Sequence, residues 1–168
     1  MDKLEILKMT ISDLDSIKDS LLLDFDDFWN YNTFKTELLN PNSKYIVAKV
    51  NKKIVGFAGI WKAVDDIHIT NIVTAKKFRK HHIGSTMLLK LIEMAETEKE
   101  INSITLEVNA NNEPAIKLYE KFGFKKVGLR KKYYNNTYDA IIMTRRKTNE
   151  KKWVELQGFK KILQSKYF

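Results

Sequence analysis

The chain contains no cysteine, only two prolines and only six glycines among its 168 residues. The lack of cysteine excludes a thiol nucleophile, a disulfide framework and a cysteine-based zinc site, and it fits a reducing cytoplasm. No window approaches the roughly 18 uninterrupted apolar residues of a transmembrane helix. The first residues, Met1-Asp2-Lys3-Leu4-Glu5, are too acidic for the basic start of a signal peptide. We therefore expect a cytoplasmic protein without a membrane segment.

Apolar residues make up 43% of the chain, which is enough for one globular domain with its own core. The net charge of +9 is unevenly distributed, because residues 121–168 carry 14 Lys/Arg and 3 Asp/Glu, whereas the first 120 residues carry 16 and 18. This asymmetry suggests an anionic ligand or partner near the C-terminal end, including ribonucleoprotein. A solvated basic surface that keeps the protein in solution explains it equally well.

The first third of the chain predicts two helices followed by a hairpin. A short strand is expected at residues 6–9, and Ser12, which is followed by two acids, is predicted to cap the first helix. A second helix is expected at residues 33–39. Apolar runs at 45–50 and 54–61 flank a short polar turn and predict a β-hairpin.

The rest of the chain alternates strands and helices. A third strand is expected to begin with Ile67, Ile69, Asn71 and Val73. Its alternation is imperfect, as expected for a strand covered on both faces. Apolar residues at helical spacing predict a long helix over 83–98. The remaining predicted elements are a strand at 104–108, a helix from Asn111 to Gly123, and antiparallel strands at 124–129 and 138–144.

This order of elements predicts an α/β domain with a mixed central sheet flanked by helices. The domain is expected to span residues 1–147. Residues 148–168 are expected to form a C-terminal extension that is helical, with apolar side chains from Trp153 to Leu163.

The segment that follows the third strand carries the chemistry. The strand Asn71-Ile72-Val73-Thr74 leads into a basic loop and then directly into the long helix. A strand, loop and helix in this order direct free backbone N–H groups and the positive end of the helix dipole at one point, which suits a phosphate. Basic helix starts are common, however, and taken alone the segment indicates a solvated loop more often than a phosphate site.

Its context favours the phosphate. The segment Arg79-Lys80-His81-His82-Ile83-Gly84 resembles the coenzyme A signature Arg/Gln-x-x-Gly-x-Gly/Ala of the GNAT superfamily of N-acetyltransferases. Residues 106–112 and 115–124 look like the Leu-Glu-Val-x-x-x-Asn and Ala-x-x-Leu-Tyr-x-x-x-Gly-Phe motifs of the bacterial (RimI-like) ribosomal-protein alanine N-acetyltransferases. The resemblance is strong over 67–144, loose over 1–66 and absent from 148–168. It implies the GNAT fold, acetyl-CoA as co-substrate and no metal.

One residue departs from the signature. His82 stands where the family has its first loop glycine. Glycine reaches positive φ freely, whereas histidine there costs roughly 1 kcal/mol or more. Either the loop keeps φ below zero at His82 or the coenzyme sits differently. Two roles remain open for the side chain, a tolerated surface residue or a direct contact to phosphate.

By the resemblance, Glu107 is the general base, acting through water, and Tyr119 is the general acid that protonates the leaving thiolate. The strand pattern places Glu107 on a polar face, where the alternative is a solvated carboxylate or an ion pair with a nearby lysine. For Tyr119 the alternative is core packing, because Ala115, Leu118 and Phe122 share its helical spacing.

The resemblance also implies a set of coenzyme contacts. Asn112 is expected to cap a helix and touch the coenzyme. The strand residues before the loop are expected to offer N–H groups to the pantetheine arm and the thioester carbonyl, with ordinary ladder bonding as the alternative. The full set is Ile72, Val73, Thr74, Arg79, Lys80, His81, His82, Ile83, Gly84, Ser85 and Asn112.

The expected acceptor is the N-terminal α-amine of a protein, ribosomal in the specific case. An α-amine with a pKa near 8 leaves a useful neutral fraction at pH 7, whereas a lysine near 10.4 leaves almost none. Phe28-Trp29 lies where such enzymes often carry an aromatic substrate loop. Alternatives are a small-molecule or polyamine acetyltransferase, a nucleic-acid-binding module, or an acyl-CoA-binding protein without turnover.

Overall fold

The computed structural model describes residues 3–25, 29–134 and 136–147, together with 158, 160 and 161. Within these residues the chain forms seven strands, five α-helices and two short 3₁₀ segments. The strands are β1 (Leu4–Lys8), β2 (Ser43–Val50), β3 (Lys53–Ala63), β4 (Asp66–Thr74), β5 (Ser103–Asn109), β6 (Lys125–Tyr134) and β7 (Tyr138–Arg146). The α-helices are α1 (Ile11–Ile17), α2 (Leu21–Phe25), α3 (Tyr31–Leu39), α4 (Ile83–Glu96) and α5 (Glu113–Lys121).

The N-cap of helix α1 lies two residues before the expected one. Thr10, not Ser12, is its N-cap, and the Thr10 hydroxyl accepts a hydrogen bond from the Asp13 backbone N–H at 3.2 Å. The Asp13 carboxylate in turn accepts a hydrogen bond from the Thr10 backbone N–H at 2.9 Å. This reciprocal capping box satisfies donors at the start of the helix and fixes where it begins.

All seven strands form one sheet in the order β1-β2-β3-β4-β5-β7-β6. Only the pair β4–β5 is parallel, because helix α4 crosses over between them, whereas the other pairs are antiparallel. The basic C-terminal stretch includes β6, an edge strand. Exposed lysines on an edge strand discourage pairing with another chain, which gives part of the charge asymmetry a structural account.

The sheet separates two cores. One face packs against α4 and includes Met87, Leu88 and Ile92, while the other packs against α1, α2 and α3 around Phe34 and Phe57. We name these the α4 face and the α3 face. Among the described residues, no helix combines the length and the apolar character needed to cross a membrane.

Most of the predicted C-terminal extension lies outside the described residues. Gly158, Lys160 and Lys161 are described and are helical. The Lys160 ammonium lies 2.8 Å from the Glu93 carboxylate on α4. The proposed domain boundary at residue 147 therefore stays a prediction.

Candidate active site

A gap opens in the middle of the sheet where the two parallel strands separate. Strands β4 and β5 pair from Asp66 with Ser103 as far as Ile69 with Leu106, and no pairing follows in the described register. Strand β5 continues along β7 on its other side to Asn109, and β4 continues along β3 to Thr74. Beyond Ile69 one edge of β4 is thus not paired with β5, which leaves backbone groups available to a ligand.

The three strand residues predicted to contact the coenzyme do not all face this gap. The Ala75 N–H donates to the Val55 carbonyl at 2.9 Å, and antiparallel pairing alternates from there along the strand. The alternation directs the backbone groups of Val73 toward β3, so ladder bonding uses them. The backbone N–H and C=O groups of Ile72 and Thr74 face the gap. Consistent with this direction, the Arg79 Nε atom donates to the Thr74 carbonyl oxygen at 3.3 Å.

At the position of the signature glycine, the predicted phosphate loop has the left-handed backbone conformation that glycine favours, although the residue there is His82. His82 has φ 60° and ψ 10° and immediately precedes helix α4. Lys80 also has a positive φ, 65°. The φ at His82 therefore lies in the left-handed region, so the first of the two expectations for this residue, a negative φ, is wrong. The loop keeps the turn that the signature glycine provides and carries the strain of a histidine in it.

The turn directs the chain into the first turn of α4, where the N–H groups of Ile83, Gly84 and Ser85 precede the first intrahelical bond, from Thr86 N–H to the His82 carbonyl at 3.0 Å. A Cβ at Gly84 would point toward the Thr74 hydroxyl at 3.7 Å. Glycine therefore keeps a cradle open between the end of β4 and the helix start. This arrangement fits the pyrophosphate of coenzyme A.

Asn112 is the N-cap of α5, as expected, and its side-chain oxygen accepts the Ala115 N–H at 3.2 Å. Its contact to the coenzyme stays a prediction. The exposed side chains of Lys80 and His81 lie in the loop before α4, where the sequence predicted them.

Glu107 lies on the α3 face of β5, one residue past the last pair with β4. Its neighbours Leu106 and Val108 are buried in the core on the α4 face, and Glu107 is half-buried. The Arg130 Nε atom lies 3.2 Å from Glu107 Oε1, so the expected ion pair exists but involves an arginine from β6. Burial, and to a smaller extent the nearby Glu107 carboxylate, raises the pKa of the Tyr133 phenol, and the Tyr134 hydroxyl donates to the Glu107 carbonyl at 3.4 Å.

Tyr119 approaches from the other face. Its ring packs against the core on the α4 face and lies edge-on to Phe124, with ring centroids 5.9 Å apart. Burial, and to a smaller extent the nearby Tyr134 hydroxyl, raises the pKa of the Tyr119 phenol to about 12. The residue as a whole is half-buried. Packing and a polar role at the gap are both compatible with this placement.

The site therefore has a carboxylate on one face of the gap and a protonated phenol on the other, with Tyr134 linking the two. The sequence indicated Glu107 and Tyr119 but not Arg130. Arg130 lies on β6, four residues before Tyr134, and nothing in the local sequence shows that it reaches Glu107 until the pairing of β6 is known. Trp29 packs edge-on to Phe34 at 5.9 Å, on the same face as Glu107. Phe28 lies outside the described residues.

Within the part of the chain that the structure describes, no three His, Cys, Asp or Glu side chains are grouped as metal ligands would be.

Comparison with known proteins identifies the family. Residues 13–124 match the model of the acetyltransferase (GNAT) family. A Bacillus subtilis protein described as a candidate N-acetyltransferase of the ribosomal protein bS18 alanine is 36% identical over 143 residues, covering 84% of this chain and 94% of that protein. The ribosomal protein bS18-alanine N-acetyltransferase of Escherichia coli is 32% identical over 120 residues, covering 68% and 78%.

Solved structures agree. The crystal structure of the Escherichia coli ribosomal-protein-S18-alanine N-acetyltransferase superimposes with a TM-score of 0.78 at 26% identity, covering 87% of this chain and 95% of that one. The Arabidopsis thaliana NAA60 structure with acetyl-CoA gives a TM-score of 0.76 at 15% identity and supports the fold alone. The chain belongs to the GNAT family of acetyltransferases, which confirms the fold, the enzyme class and the co-substrate acetyl-CoA predicted from its sequence.

Proposed function

We propose that this protein transfers the acetyl group of acetyl-CoA to the N-terminal α-amine of a protein, with a ribosomal protein as the specific acceptor. The observation that carries the proposal is the position of Glu107 and Tyr119 on opposite faces of the gap between β4 and β5. The names of the Bacillus subtilis and Escherichia coli relatives support the choice of a ribosomal α-amine. Such an acceptor also fits a cytoplasmic enzyme.

Three parts of the chain would hold acetyl-CoA. The N–H groups at the start of α4, with the basic side chains of Arg79 and Lys80, suit the phosphates. The gap-facing backbone groups of Ile72 and Thr74 suit the pantetheine arm and the thioester carbonyl. Bound there, acetyl-CoA supplies an activated acetyl carbonyl and a thiolate leaving group.

Glu107 and Tyr119 each carry out one of the two proton transfers, Glu107 from the amine and Tyr119 to the leaving thiolate. Glu107 accepts a proton from the attacking ammonium or amine, directly or through a water, while Arg130 holds the carboxylate in one orientation. Tyr119 donates its phenolic proton to the leaving sulfur. A pKa of about 12 keeps the phenol protonated throughout the physiological range, so the acid is in its working form before each turnover.

The environment of Glu107 bears on the acceptor. A polyamine carries several cations and would be expected to bind among carboxylates. Among the described residues, Glu107 is instead flanked by the Arg130 guanidinium and by two tyrosines. Tyrosine hydroxyls and a face that also holds Trp29 suit a neutral peptide backbone better than a polycation.

The test is acetylation of matched peptides with isotope-labelled acetyl-CoA. The peptides carry the same sequence, beginning with alanine and containing one internal lysine, with the N-terminus either free or already acetylated. We expect label on the free α-amine and none on the blocked peptide. Spermidine and an RNA oligonucleotide complete the panel.

Label on lysine of the blocked peptide, or faster turnover of spermidine, would replace the proposed acceptor. Coenzyme binding without label on any amine would instead support a protein that binds acyl-CoA without turnover. Salt-sensitive binding of the RNA in the absence of coenzyme would support the nucleic-acid alternative. The coenzyme assignment itself is tested by melting temperature, which acetyl-CoA should raise and NAD or ATP should not.

A further inference from the structure

Asn71 carries a buried carboxamide that lacks a hydrogen-bond partner. Both polar atoms of its side chain are shielded from solvent, and neither makes a hydrogen bond among the described residues. Buried amides almost always have partners, because an amide removed from water without one destabilises the fold. An apolar residue of similar size would pack in this strand at no such penalty, so the carboxamide calls for a functional explanation.

A β-bulge determines which way Asn71 points. Across β3 and β4, Gly59 pairs with Asn71 but Ile60 pairs with Ile69, so Thr70 is an extra residue in β4. Accordingly, Ile69 and Ile72 both pack on the α4 face although they are three residues apart. The bulge therefore turns Asn71 away from the face that regular alternation with Ile69 would give it.

The surroundings identify the other face. The Thr70 hydroxyl lies 2.8 Å from the Tyr45 hydroxyl, and Tyr45 belongs to the core on the α3 face. Val73, two residues past Asn71, packs against that same core. Asn71 therefore lies on the α3 face, which is also the face of Glu107.

Asn71 and Glu107 also lie at the same level of the sheet. Strands β4 and β5 separate after the pair of Ile69 with Leu106. Glu107 is the first residue past that point on β5, and Asn71 is the second on β4. The two polar side chains consequently flank the opening of the gap on one face, whereas Tyr119 approaches from the other.

We propose that Asn71 is the residue that selects α-amines of peptides as acceptors. Both atoms are covered in the free protein. When the acceptor displaces the groups that cover them, the Asn71 Oδ1 atom accepts a hydrogen bond from the amine and the Nδ2 atom donates to the carbonyl of the first peptide unit. A carboxamide offers one acceptor and two donors, which matches an amine followed closely by a carbonyl. A lysine side chain or a polyamine has no carbonyl at that distance. Because a carboxamide stays neutral, it orients the amine without competing with Glu107 for the proton. This inference rests on the proposed function.

The test compares Asn71→Leu with Thr70→Val. Asn71→Leu removes both polar atoms and keeps the number and branching of the side-chain heavy atoms, so the melting temperature should hold or rise, and the shift caused by acetyl-CoA should not change. The kcat/KM for the alanine peptide should fall at least tenfold, mainly through the KM of the peptide, while the KM of acetyl-CoA stays constant. Thr70→Val removes the hydroxyl paired with Tyr45 and should lower the melting temperature without changing the peptide KM.

A stable Asn71→Leu enzyme with unchanged peptide kinetics would overturn the proposal and leave Asn71 as a packing residue. If the variant does not fold, the side-chain amide resonance of Asn71 in the wild-type protein decides. It should shift when the alanine peptide is added in the presence of coenzyme A, and an unmoved resonance contradicts the proposal. Failure of the proposed function is distinct, because the wild-type enzyme would then leave the free α-amine unlabelled, and the inference about Asn71 would fall with it.

Discussion

The guanidinium Nε of Arg130 lies 3.2 Å from the Oε1 atom of Glu107, so the carboxylate at the gap has a cation on one side. The ion pair is partly exposed, with the Arg130 side chain 56% accessible, and such pairs add little to stability. Its contribution is orientation. The pair holds the carboxylate on the face of the sheet where Asn71 lies.

Glu107→Gln should lower kcat/KM by about 10²-fold or more near pH 7, the usual contribution of a positioned base. Glutamine keeps the shape, and the ion pair with Arg130 that it breaks is partly exposed, so the melting temperature should change little. The loss should shrink at high pH, where the amine is already deprotonated. A pH profile of kcat/KM from 6 to 10 measures this, and a loss that stays constant across that range would contradict the role of base.

His82→Gly should stabilise the protein by up to about 1 kcal/mol, because it removes the strain of a histidine at φ 60° while adding some entropy to the unfolded chain. Acetyl-CoA affinity should stay the same or improve. Calorimetry of coenzyme binding, beside thermal unfolding, separates the two effects.

His82→Ala is the matched control, because alanine keeps the strained φ and removes the imidazole. If the imidazole contacts phosphate, both variants should lose about tenfold in affinity, or 1.4 kcal/mol. Lys52→Gly relieves the strain of a lysine at φ 65° in the turn between β2 and β3, and it should stabilise the fold without affecting coenzyme binding.

Arg145→Met should destabilise the fold by about 3 kcal/mol or more, because it breaks a buried ion pair and leaves the partner carboxylate behind. The Arg145 side chain is 3% exposed, its Nη1 atom contacts Glu96 Oε1, and its Nε atom donates to the Phe122 carbonyl at 3.0 Å. The arginine therefore ties β7 to the ends of α4 and α5. Lys126→Met, which breaks an exposed pair with Glu120, should change stability by less than about 0.5 kcal/mol. Chemical denaturation of both variants tests the contrast.

Local patterns predicted the long helix at Ile83 because its apolar stripe has one clear period, and the structure places α4 there. They did not locate the start of α1. Thr10 and Ser12 are each followed three residues later by an aspartate, so either could build a capping box. Burial of Leu14 and Ile17 against the sheet selects the register, and that contact is tertiary.

The residues of the site also fall into those that local patterns identified and those whose role depends on tertiary structure. Glu107 and Tyr119 were identified because each lies in a recognisable motif. Asn71 was visible as a polar residue in an apolar strand, but its face depends on the bulge at Thr70, which no local signal marks. Arg130 reaches Glu107 only through the pairing of β5, β7 and β6, so its role follows from a register that is fixed across the whole sheet.

The acid at the gap gives the sharpest test of the mechanism. Tyr119→Phe removes one hydroxyl and leaves the ring against Phe124, so the fold and acetyl-CoA affinity should persist. If the phenol protonates the leaving thiolate, kcat should fall by about 10²-fold or more. With a pKa of about 12, the phenol stays protonated from pH 6 to 10, so the ratio of wild-type to variant kcat should be constant there.

The raised pKa also has a consequence for stability. Because the folded value of about 12 exceeds the unfolded value near 10, the contribution of the Tyr119 phenol to stability is complete below pH 10 and is lost as pH rises through 12. Wild-type protein should therefore lose stability over that interval more steeply than Tyr119→Phe, as followed by unfolding at successive pH values. A variant with normal kcat, under conditions where chemistry limits turnover, would reduce Tyr119 to a core aromatic and require another source for the proton.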